Sequence, residues 1–388
     1  MKTKTVYLED TYQLKTYEKF PIVINKGKGC YVWDDTGKKY LDFYGGHAVA
    51  LIGHCNPNVI KAVNKQLEKL IFYSNVVYNE QRAMAAEKLI DFSRNTFSQV
   101  FFCNSGTEAN EAAIKIAKKY TGKSEIISFI GSFHGRTVGS LSVTGIDAYK
   151  NSKQSLMPNV TFAQFGNIES VSRLVTQNTA AIIVEPIQSI AGVNIATKDF
   201  YVSLKKLCAE RNIVLIFDEI QTGLGRTGEV FFGNHFGISP DITTLAKGLA
   251  SGLPAGAVLV NKKIQGSVDI SDLGSTFGGG PVVCSAISAT LDYIQKKHLI
   301  KNAKEMGEVL KKNVINLDHI VKVRGLGLLL GIELDILAKE VVGSLLQDGI
   351  ITGTSANKYV LRIMPPITIS RKEVDCFIKT LEKILNKK

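Results

Sequence analysis

The sequence predicts an α/β protein in which a large domain with a mostly parallel sheet is followed by a smaller α+β domain. Helical and strand patterns alternate from about residue 56 to 292, as they do where helices cover a parallel sheet. The runs 181–184 and 213–217 are continuously apolar and rich in β-branched residues, which is typical of strands buried on both faces. After residue 315 the pattern changes to short strands and one final helix.

Local patterns place the individual elements. Residues 30–43 predict a hairpin of two short strands around an Asp-Thr-Gly turn. Helices are predicted at 56–70, 106–120, 199–212 and 282–315. Strands are predicted at 98–105, 124–130, 180–186, 213–220, 242–248 and 256–261.

These elements predict three parts of the chain. Residues 51–290 form the large domain, and residues 291–388 form the small α+β domain. We expect residues 1–50 to pack with the small domain, because neither piece has enough apolar sequence to make a core by itself.

The composition is that of a soluble globular protein, with 45% hydrophobic and 21% charged residues among 388. The net charge of +12 comes from dispersed basic residues without interleaved aromatics, so we predict no nucleic-acid partner and some attraction for anionic substrates. The six cysteines have neither disulfide nor metal-ligand spacing, which favours buried free thiols and no metal site. Without a signal-peptide pattern or a bilayer-spanning apolar run, we expect a cytoplasmic protein with no membrane contact.

Polar motifs follow four of the predicted strands, at the edge where an open parallel sheet binds its ligands. They occupy residues 104–110, 129–137, 184–188 and 218–223. The first motif opens a helix near Thr107, where free backbone N–H groups and the helix dipole suit a phosphate. A plain capping turn would explain the same residues, because Ser and Thr are common helix caps.

Two charged groups lie next to buried apolar runs. Asp218 and Glu219 directly follow the apolar strand 213–217, where a carboxylate needs a cation or a hydrogen-bond donor. A protonated pyridine nitrogen is one such partner, and a helix cap or a salt bridge is another. Lys247 ends an apolar run just before a glycine-rich turn, where desolvation and nearby cations would lower its pKa as Schiff-base chemistry requires.

Two glycine-rich segments are less specific. Gly223, Gly225 and Gly228 match the GxGxxG of a dinucleotide loop, but they start several residues past the strand and open no helix. A flexible loop near the site is therefore the better prediction. Residues 274–280, which include Ser275 and Thr276, precede a helix and suit either a phosphate contact or a tight turn.

Three further side chains suit rings or anions. His134 and Arg136 pair a possible ring contact with a guanidinium fork for a carboxylate. Arg362 stands on an otherwise apolar strand, which indicates either an inward-facing anion site or a solvated charge at a sheet edge.

The order and identity of these motifs resemble class III aminotransferases of the fold-type I pyridoxal-phosphate superfamily, in particular the acetylornithine and ornithine aminotransferase branch. The resemblance runs from YVWDDTGKKYLDFYGG through NSGTEANEAAIKIAKKY, FHGRT, DEIQTGLGRTG and GSTFGGGP to LRIMPP, and so covers essentially the whole chain. It implies pyridoxal 5′-phosphate as cofactor, a seven-stranded sheet in the large domain, and a homodimer with shared active sites.

The resemblance also implies a role for each site residue. Lys247 would carry the cofactor as a Schiff base and move the substrate proton, and Asp218 would pair with the ring nitrogen. The cofactor phosphate would be held by Ser105, Gly106, Thr107 and, from the second subunit, Thr276. The ring and its substituents would be contacted by Phe133, His134, Glu185 and Gln221. Substrate carboxylates would be bound by Arg136, with Ser275 nearby, and by Arg362.

One segment departs from the family pattern. The family usually reads EPIQGEGG, whereas residues 185–192 read EPIQSIAG and place Ile190 at the position of the glutamate. In the family that glutamate is thought to neutralise the arginine that corresponds to Arg362. Ile190 would leave Arg362 open to anions in both half-reactions, so we hypothesise a donor with a second carboxylate, as N-succinylornithine has. His47 is a candidate for tuning the acyl pocket, although a packed histidine explains it equally.

The predicted activity is transfer of the ω-amino group of an N-acylated ornithine, N2-acetylornithine first, to 2-oxoglutarate in arginine biosynthesis. N-succinylornithine, ornithine δ- and 4-aminobutyrate aminotransferases use the same core and are the alternatives. A nucleotide-dependent dehydrogenase would rest on the GxGxxG alone, and a basic binding protein would need clustered charge.

Overall fold

The computed structural model describes residues 4–151 and 155–388. Its strands are β1 Ile24–Lys28, β2 Tyr31–Asp34, β3 Lys39–Asp42, β4 Gln99–Cys103, β5 Glu125–Phe129, β6 Val160–Ala163, β7 Thr179–Val184, β8 Ile187–Gln188, β9 Asn194–Ile195, β10 Val214–Asp218, β11 Ile242–Leu245, β12 Gly256–Val260, β13 Ile320–Leu326, β14 Leu329–Leu334, β15 Ile350–Ile351, β16 Gly353–Thr354 and β17 Val360–Ile363. The α-helices are α1 Lys4–Tyr12, α2 Gly45–Ala48, α3 Pro57–Leu67, α4 Glu80–Phe92, α5 Gly106–Thr121, α6 Val138–Ser142, α7 Ile168–Leu174, α8 Lys198–Glu210, α9 Pro281–Lys296, α10 Leu299–Val314, α11 Ala338–Gln347 and α12 Arg371–Leu385. Short 3-10 turns occupy Asp147–Tyr149, Phe232–His235 and Lys247–Ala250.

The large sheet has seven strands in the order β4-β12-β11-β10-β7-β5-β6. Adjacent strands of this sheet pair in parallel, except that β12 lies antiparallel to both of its neighbours, β11 and β4. All side chains of β7 and β10 are buried, as their continuous apolar runs predict. The predicted α/β fold with a mostly parallel seven-stranded sheet is confirmed.

Helix α5 is positioned by its own sequence. Ser105 caps its first turn by accepting a hydrogen bond from the Glu108 N–H. Gly122 ends the helix in the left-handed conformation at φ 68°. The face between these ends buries a series of small and β-branched residues against the sheet, so the helix begins at the carboxyl edge of β4.

The predicted single helix at 282–315 is wrong. Two helices, α9 and α10, occupy this stretch, and they are separated by His298 in the left-handed conformation at φ 51°. The apolar period continues on both sides of the break, so the sequence pattern alone gave no sign of it.

Smaller sheets flank the large one. One has the order β1-β2-β3-β15 and the other has the order β13-β14-β17-β16. The predicted hairpin is present as β2 and β3, and β3 pairs in parallel with β15 from near the C-terminal end. The division into parts at residues 50 and 290 stays a prediction.

The glycine-rich segment 222–228 is not a flexible loop, so that expectation is wrong. Its residues are buried against α10. A side chain at Gly225 would meet Ile300 at 2.9 Å, and one at Gly228 would meet Lys304 at 2.9 Å. Both glycines have φ near 90°, so these positions serve close packing in a conformation that other residues rarely adopt.

Two other sequence expectations concern the surface. Of the cysteines, Cys55 and Cys376 are exposed, whereas the remaining four are buried free thiols. Within residues 4–151 and 155–388, every helix is too short or too polar to cross a membrane.

Candidate active site

A cavity of about 500 Å³ opens at the carboxyl edge of the large sheet. Most of the predicted site residues line it, namely Ser105, Gly106, Thr107, Phe133, His134, Arg136, Glu185, Asp218, Gln221 and Lys247. They come from segments that directly follow β4, β5, β7, β10 and β11. Parallel strands end at one edge of a sheet, which is why residues far apart in sequence meet here.

Asp218 is fixed at the end of β10 by three hydrogen bonds. Its Oδ2 accepts from Asn110 Nδ2 at 2.8 Å and contacts His134 Nδ1 at 2.7 Å. Its Oδ1 accepts from the Ile220 N–H at 3.1 Å. The carboxylate is 4% exposed, so these partners offset its desolvation and orient it in the cavity wall.

Asn110 is a site residue that the sequence analysis missed. Its Nδ2 donates to Asp218 and, at 2.7 Å, to the His134 carbonyl oxygen. Its Oδ1 accepts from Thr244 Oγ1 at 2.8 Å. The available signal was a polar residue on the buried face of an otherwise apolar amphipathic helix.

Lys247 follows β11 and begins a 3-10 turn with φ 45°, a conformation that side-chain-bearing residues rarely adopt. Its side chain lines the cavity. Desolvation lowers the pKa of Lys247 to about 8, with opposing contributions from Asp218 and Glu185 and a further lowering by Arg362. A substantial neutral fraction near physiological pH is what a nucleophilic amine needs.

Two neighbouring glutamates differ from ordinary surface carboxylates. Glu185 accepts a hydrogen bond from the Phe133 N–H at 2.7 Å, and burial followed by the charge of Asp218 raises the pKa of Glu185 to about 8. Glu219 accepts from the Phe232 N–H and from Thr222 Oγ1, while burial raises the pKa of Glu219 to about 7. At neutral pH, Asp218 is therefore flanked by carboxyl groups that are partly or largely protonated.

The first turn of α5 is capped as one of the two sequence interpretations predicts, and it lies at the cavity. Ser105 Oγ acts as the helix cap and also donates to Glu108 Oε1 at 3.1 Å. Gly106 packs closely on Ile220: a Cβ at this position would meet the end of the Ile220 side chain at 2.6 Å, so that side chain would have to shift. Thr107 Oγ1 contacts Thr137 Oγ1 at 2.8 Å. The three residues of this turn line the cavity at a helix N-terminus, the kind of place that suits a phosphate.

Some buried polar atoms at the cavity have no protein partner. Within the described ranges, Gln221 Oε1 and His134 Nε2 are buried without a hydrogen bond. Together with a cavity-facing amine, a fixed carboxylate and a free helix N-terminus, they fit a phosphorylated aromatic cofactor with a ring nitrogen and an oxygen substituent.

Arg136 lies on the exposed side of the cavity. Its guanidinium is 5.3 Å from the centre of the Tyr17 ring and 5.5 Å from that of Tyr149. The Phe133 ring is 5.9 Å away. Tyr17 lines the cavity from the N-terminal segment, where the sequence analysis assigned no site residue.

Three predicted site residues do not line this cavity. Ser275 and Thr276 line a separate cleft beside Asn75 and Arg82. Ser275 nevertheless accepts a hydrogen bond from Asn104, a cavity residue, at 2.9 Å. Arg362, on β17, is not among the lining residues but donates at 3.1 Å to Ser189 Oγ, next to the cavity-lining Ile190.

Comparison with known proteins identifies the family of this chain. A family model described as Aminotransferase class-III matches residues 12–385. The chain belongs to this family. It is a pyridoxal-phosphate-dependent aminotransferase, which confirms the resemblance that the motifs carry.

The similarity to individual family members extends over full lengths. The acetylornithine aminotransferase of Methanocaldococcus jannaschii is 41% identical over 97% of this chain and 96% of its own. That of Aquifex aeolicus is 41% identical over 97% of this chain and 100% of its own. Among solved structures, the ornithine aminotransferase of Toxoplasma gondii superposes with a TM-score of 0.94 at 29% identity, covering 100% of this chain and 97% of that one. The acetylornithine aminotransferase of Elizabethkingia anophelis has a TM-score of 0.87 at 29% identity, covering 99% and 98%.

Proposed function

We propose that this aminotransferase moves the ω-amino group of an N-acylated ornithine, N2-acetylornithine first, to 2-oxoglutarate in arginine biosynthesis. The products are the corresponding semialdehyde and glutamate. The observation that carries the proposal is the convergence of Lys247, Asp218 and Arg136 on one cavity. The acetylornithine aminotransferases at about 40% identity support the choice of donor.

Each cavity residue has a separate role in this proposal. When bound, pyridoxal phosphate supplies an electron sink for the carbon that bears the amine. Asp218 would hold the ring nitrogen in its protonated form, and the first turn of α5 would bind the phosphate through Ser105, Gly106 and Thr107. Phe133 would contact the ring, while Gln221 and Glu185, which line the same cavity, would serve its polar substituents. His134 acts through Asp218, which its ring positions.

Lys247 is the proton carrier in this proposal. Its Nζ would remove a proton from the amine-bearing carbon of the substrate and deliver it to the cofactor carbon that is joined to the amine nitrogen. A general base with a pKa near the working pH is suited to this transfer. The backbone conformation at Lys247 and the buried strand before it hold the amine in place.

Arg136 and Arg362 provide two carboxylate subsites. Arg136, bracketed by aromatic rings at the open side of the cavity, suits the α-carboxylate of the acylated donor. Arg362 suits a carboxylate of glutamate or 2-oxoglutarate. Ser275 would approach the donor from its neighbouring cleft.

A second candidate donor is N-succinylornithine. It is favoured by Ile190, which lines the cavity without a charge next to Ser189, the partner of Arg362. If the donor bound with its acyl end toward Arg362, an arginine without a carboxylate partner would favour a donor that has a second carboxylate. Ornithine and 4-aminobutyrate remain alternatives with the same core.

The test is a donor panel with 2-oxoglutarate, in which glutamate formation is measured for the acetyl, succinyl and free ornithines and for 4-aminobutyrate. We expect the highest kcat/KM with N2-acetylornithine. A clear preference for free ornithine or 4-aminobutyrate would overturn the donor assignment, and no turnover with any of them would overturn the proposal as a whole. A preference for the succinyl compound would select the second candidate.

We also propose a cytoplasmic homodimer with shared active sites. An apolar patch next to Thr276 is exposed in the single chain and includes Ile71, Phe72, Tyr73, Val76, Tyr78 and Phe277. The Phe72 and Phe277 rings are 5.4 Å apart, so both segments belong to one surface. Patches of this kind are typical of interfaces, and a second copy covering it would bring its Thr276 to a phosphate. The enzyme used in the donor panel should have twice the mass of the 42.4 kDa chain in solution; a monomer would contradict this part.

A further inference from the structure

Arg362 is a buried cation with few hydrogen-bond partners. It is 5% exposed on β17. One Nη1 bond reaches Ser189 Oγ at 3.1 Å, and a long contact joins Nη2 to the Tyr44 hydroxyl at 3.5 Å. Its Nε has no acceptor within the described residues. A guanidinium has five N–H donors, so most of this bonding capacity is unused at a place where desolvation is costly.

The partners of Arg362 are neutral. Ser189 is an alcohol, and burial raises the pKa of Tyr44, which keeps the phenol protonated. The Tyr44 hydroxyl contacts His47 Nδ1 at 2.6 Å. Desolvation, followed by the charges of Arg362, Lys247 and Arg136, lowers the pKa of His47 to about 4, so this imidazole is neutral at pH 7 although the residue is exposed. Tyr44 and His47 therefore orient the guanidinium without neutralising it.

The neighbouring carboxyl group does not neutralise it either. Glu185 is a carboxyl group whose charge acts on Arg362. Its pKa of about 8 leaves Glu185 largely protonated at neutral pH. Ile190, the chain neighbour of Ser189, presents an apolar side chain to the cavity. These neighbouring groups thus leave the positive charge of Arg362 without a negative partner.

The position of this charge indicates which substrates can satisfy it. Arg362 donates to Ser189, whose chain neighbour Ile190 lines the cavity together with Lys247. Its charge also acts on Lys247, the group that works at the amine-bearing carbon of the substrate. An α-amino acid carries a carboxylate on that carbon. The terminal CH2–NH2 of an ω-amine carries none, and the acyl group of an N-acylornithine is at the far end of the molecule.

We propose that Arg362 binds a small monovalent anion, such as acetate or chloride, as a co-ligand during the ω-amine half-reaction. The α-carboxylate of glutamate takes the same place in the other half-reaction. This inference rests on the proposed transamination and adds a ligand to the same site. A small anion should therefore have opposite effects on the two half-reactions.

The kinetic test follows each half-reaction separately by cofactor absorbance in single turnovers. Acetate is titrated at constant ionic strength against a bulky sulfonate salt, and chloride is a second arm. We expect acetate to accelerate the reaction of N2-acetylornithine severalfold with saturation, and to inhibit that of glutamate competitively. Equal effects on both, or none on either, would overturn the proposal.

N-succinylornithine separates two explanations for the open arginine. Acetate should accelerate its reaction as it does that of the acetyl compound. Inhibition by acetate would mean that the donor's own second carboxylate occupies Arg362, and would overturn the co-ligand.

A binding measurement keeps the anion site separate from transamination. Calorimetric titration of the cofactor-loaded enzyme with acetate, without a donor, should detect one site per chain. Arg362→Gln should weaken acetate binding about tenfold or more, the size of a charge-assisted hydrogen bond. If the donor panel fails but this site is present, only the proposed function is wrong; if turnover is normal and acetate does not bind, only the anion site is wrong.

Position 190 offers a matched pair of variants. Ile190→Glu would place a carboxylate beside Ser189 and should abolish acetate binding and acceleration. Ile190→Gln has nearly the same shape without the charge and should retain both. Equal behaviour of the two variants would contradict a role for charge at this place.

Discussion

Asp218 and Arg362 are both buried charges on strands, yet their surroundings differ. Asp218 receives hydrogen bonds from Asn110, His134 and the Ile220 N–H. Arg362 has one good bond, to Ser189, and an Nε without an acceptor in the described part of the chain. The two side chains are 4% and 5% exposed, so desolvation alone does not distinguish them.

The difference separates two kinds of site. A charge that the protein itself satisfies is held in one orientation and suits a permanent contact, here the ring nitrogen of the cofactor. A charge that the protein leaves unsatisfied depends on ligands that come and go with each half-reaction. The cavity therefore has a fixed end and an open end, with Lys247 influenced by both charges.

Replacing Lys247 should give the largest loss of activity, because in this proposal its amine acts in both half-reactions. Lys247→Ala should reduce turnover by up to about 10⁴-fold, the upper range for loss of a general base. It should also remove the visible absorbance of the covalently held cofactor. Lys247→Arg is the control that retains positive charge but cannot replace the nucleophilic amine. Near-normal turnover in either variant would exclude Lys247 as the proton carrier.

Replacing Asp218 and the residues that position it should give the next largest losses of activity. Asp218→Asn retains the shape but loses the charge, and should lower kcat about a hundredfold or more, as loss of an electrostatic stabiliser does. Asn110→Leu removes one positioning bond and should cost about tenfold. Thr244→Val, a step further out, should cost less. The pH at which the cofactor spectrum changes should shift most in Asp218→Asn, less in Asn110→Leu and least in Thr244→Val. If Asn110 had a purely structural role, its replacement would lower stability and leave that spectrum unchanged.

A smaller effect is expected from pH. Because burial lowers the pKa of Lys247 to about 8, the neutral amine that attacks the cofactor aldehyde becomes more abundant as pH rises to that value. The rate at which cofactor-free enzyme binds pyridoxal phosphate should rise about tenfold per pH unit below 8 and then level off. A rise that continues to pH 10 would mean that the lysine has an ordinary pKa.

Much of the site could be predicted from sequence because strand ends are local features. Asp218 and Lys247 each follow a continuous apolar run, and the helix start at residues 104–108 has cap and glycine signals. Asn110 was missed because its role depends on two partners, Asp218 and Thr244, that lie more than a hundred residues away. The break at His298 was missed because it leaves the apolar period intact.

By itself, the sequence determined the fold class, the family and the chemical identity of the cavity residues, since these depend on local periodicity and ordered motifs. Tertiary structure decided which charges are satisfied. Ile190 in the sequence suggested an Arg362 without a carboxylate partner. Only the folded chain places neutral Ser189 and Tyr44 beside the guanidinium and leaves its Nε without an acceptor among the described residues. Satisfaction of a buried charge is a property of three-dimensional neighbours, and those neighbours come from strands and loops that the chain brings together only on folding.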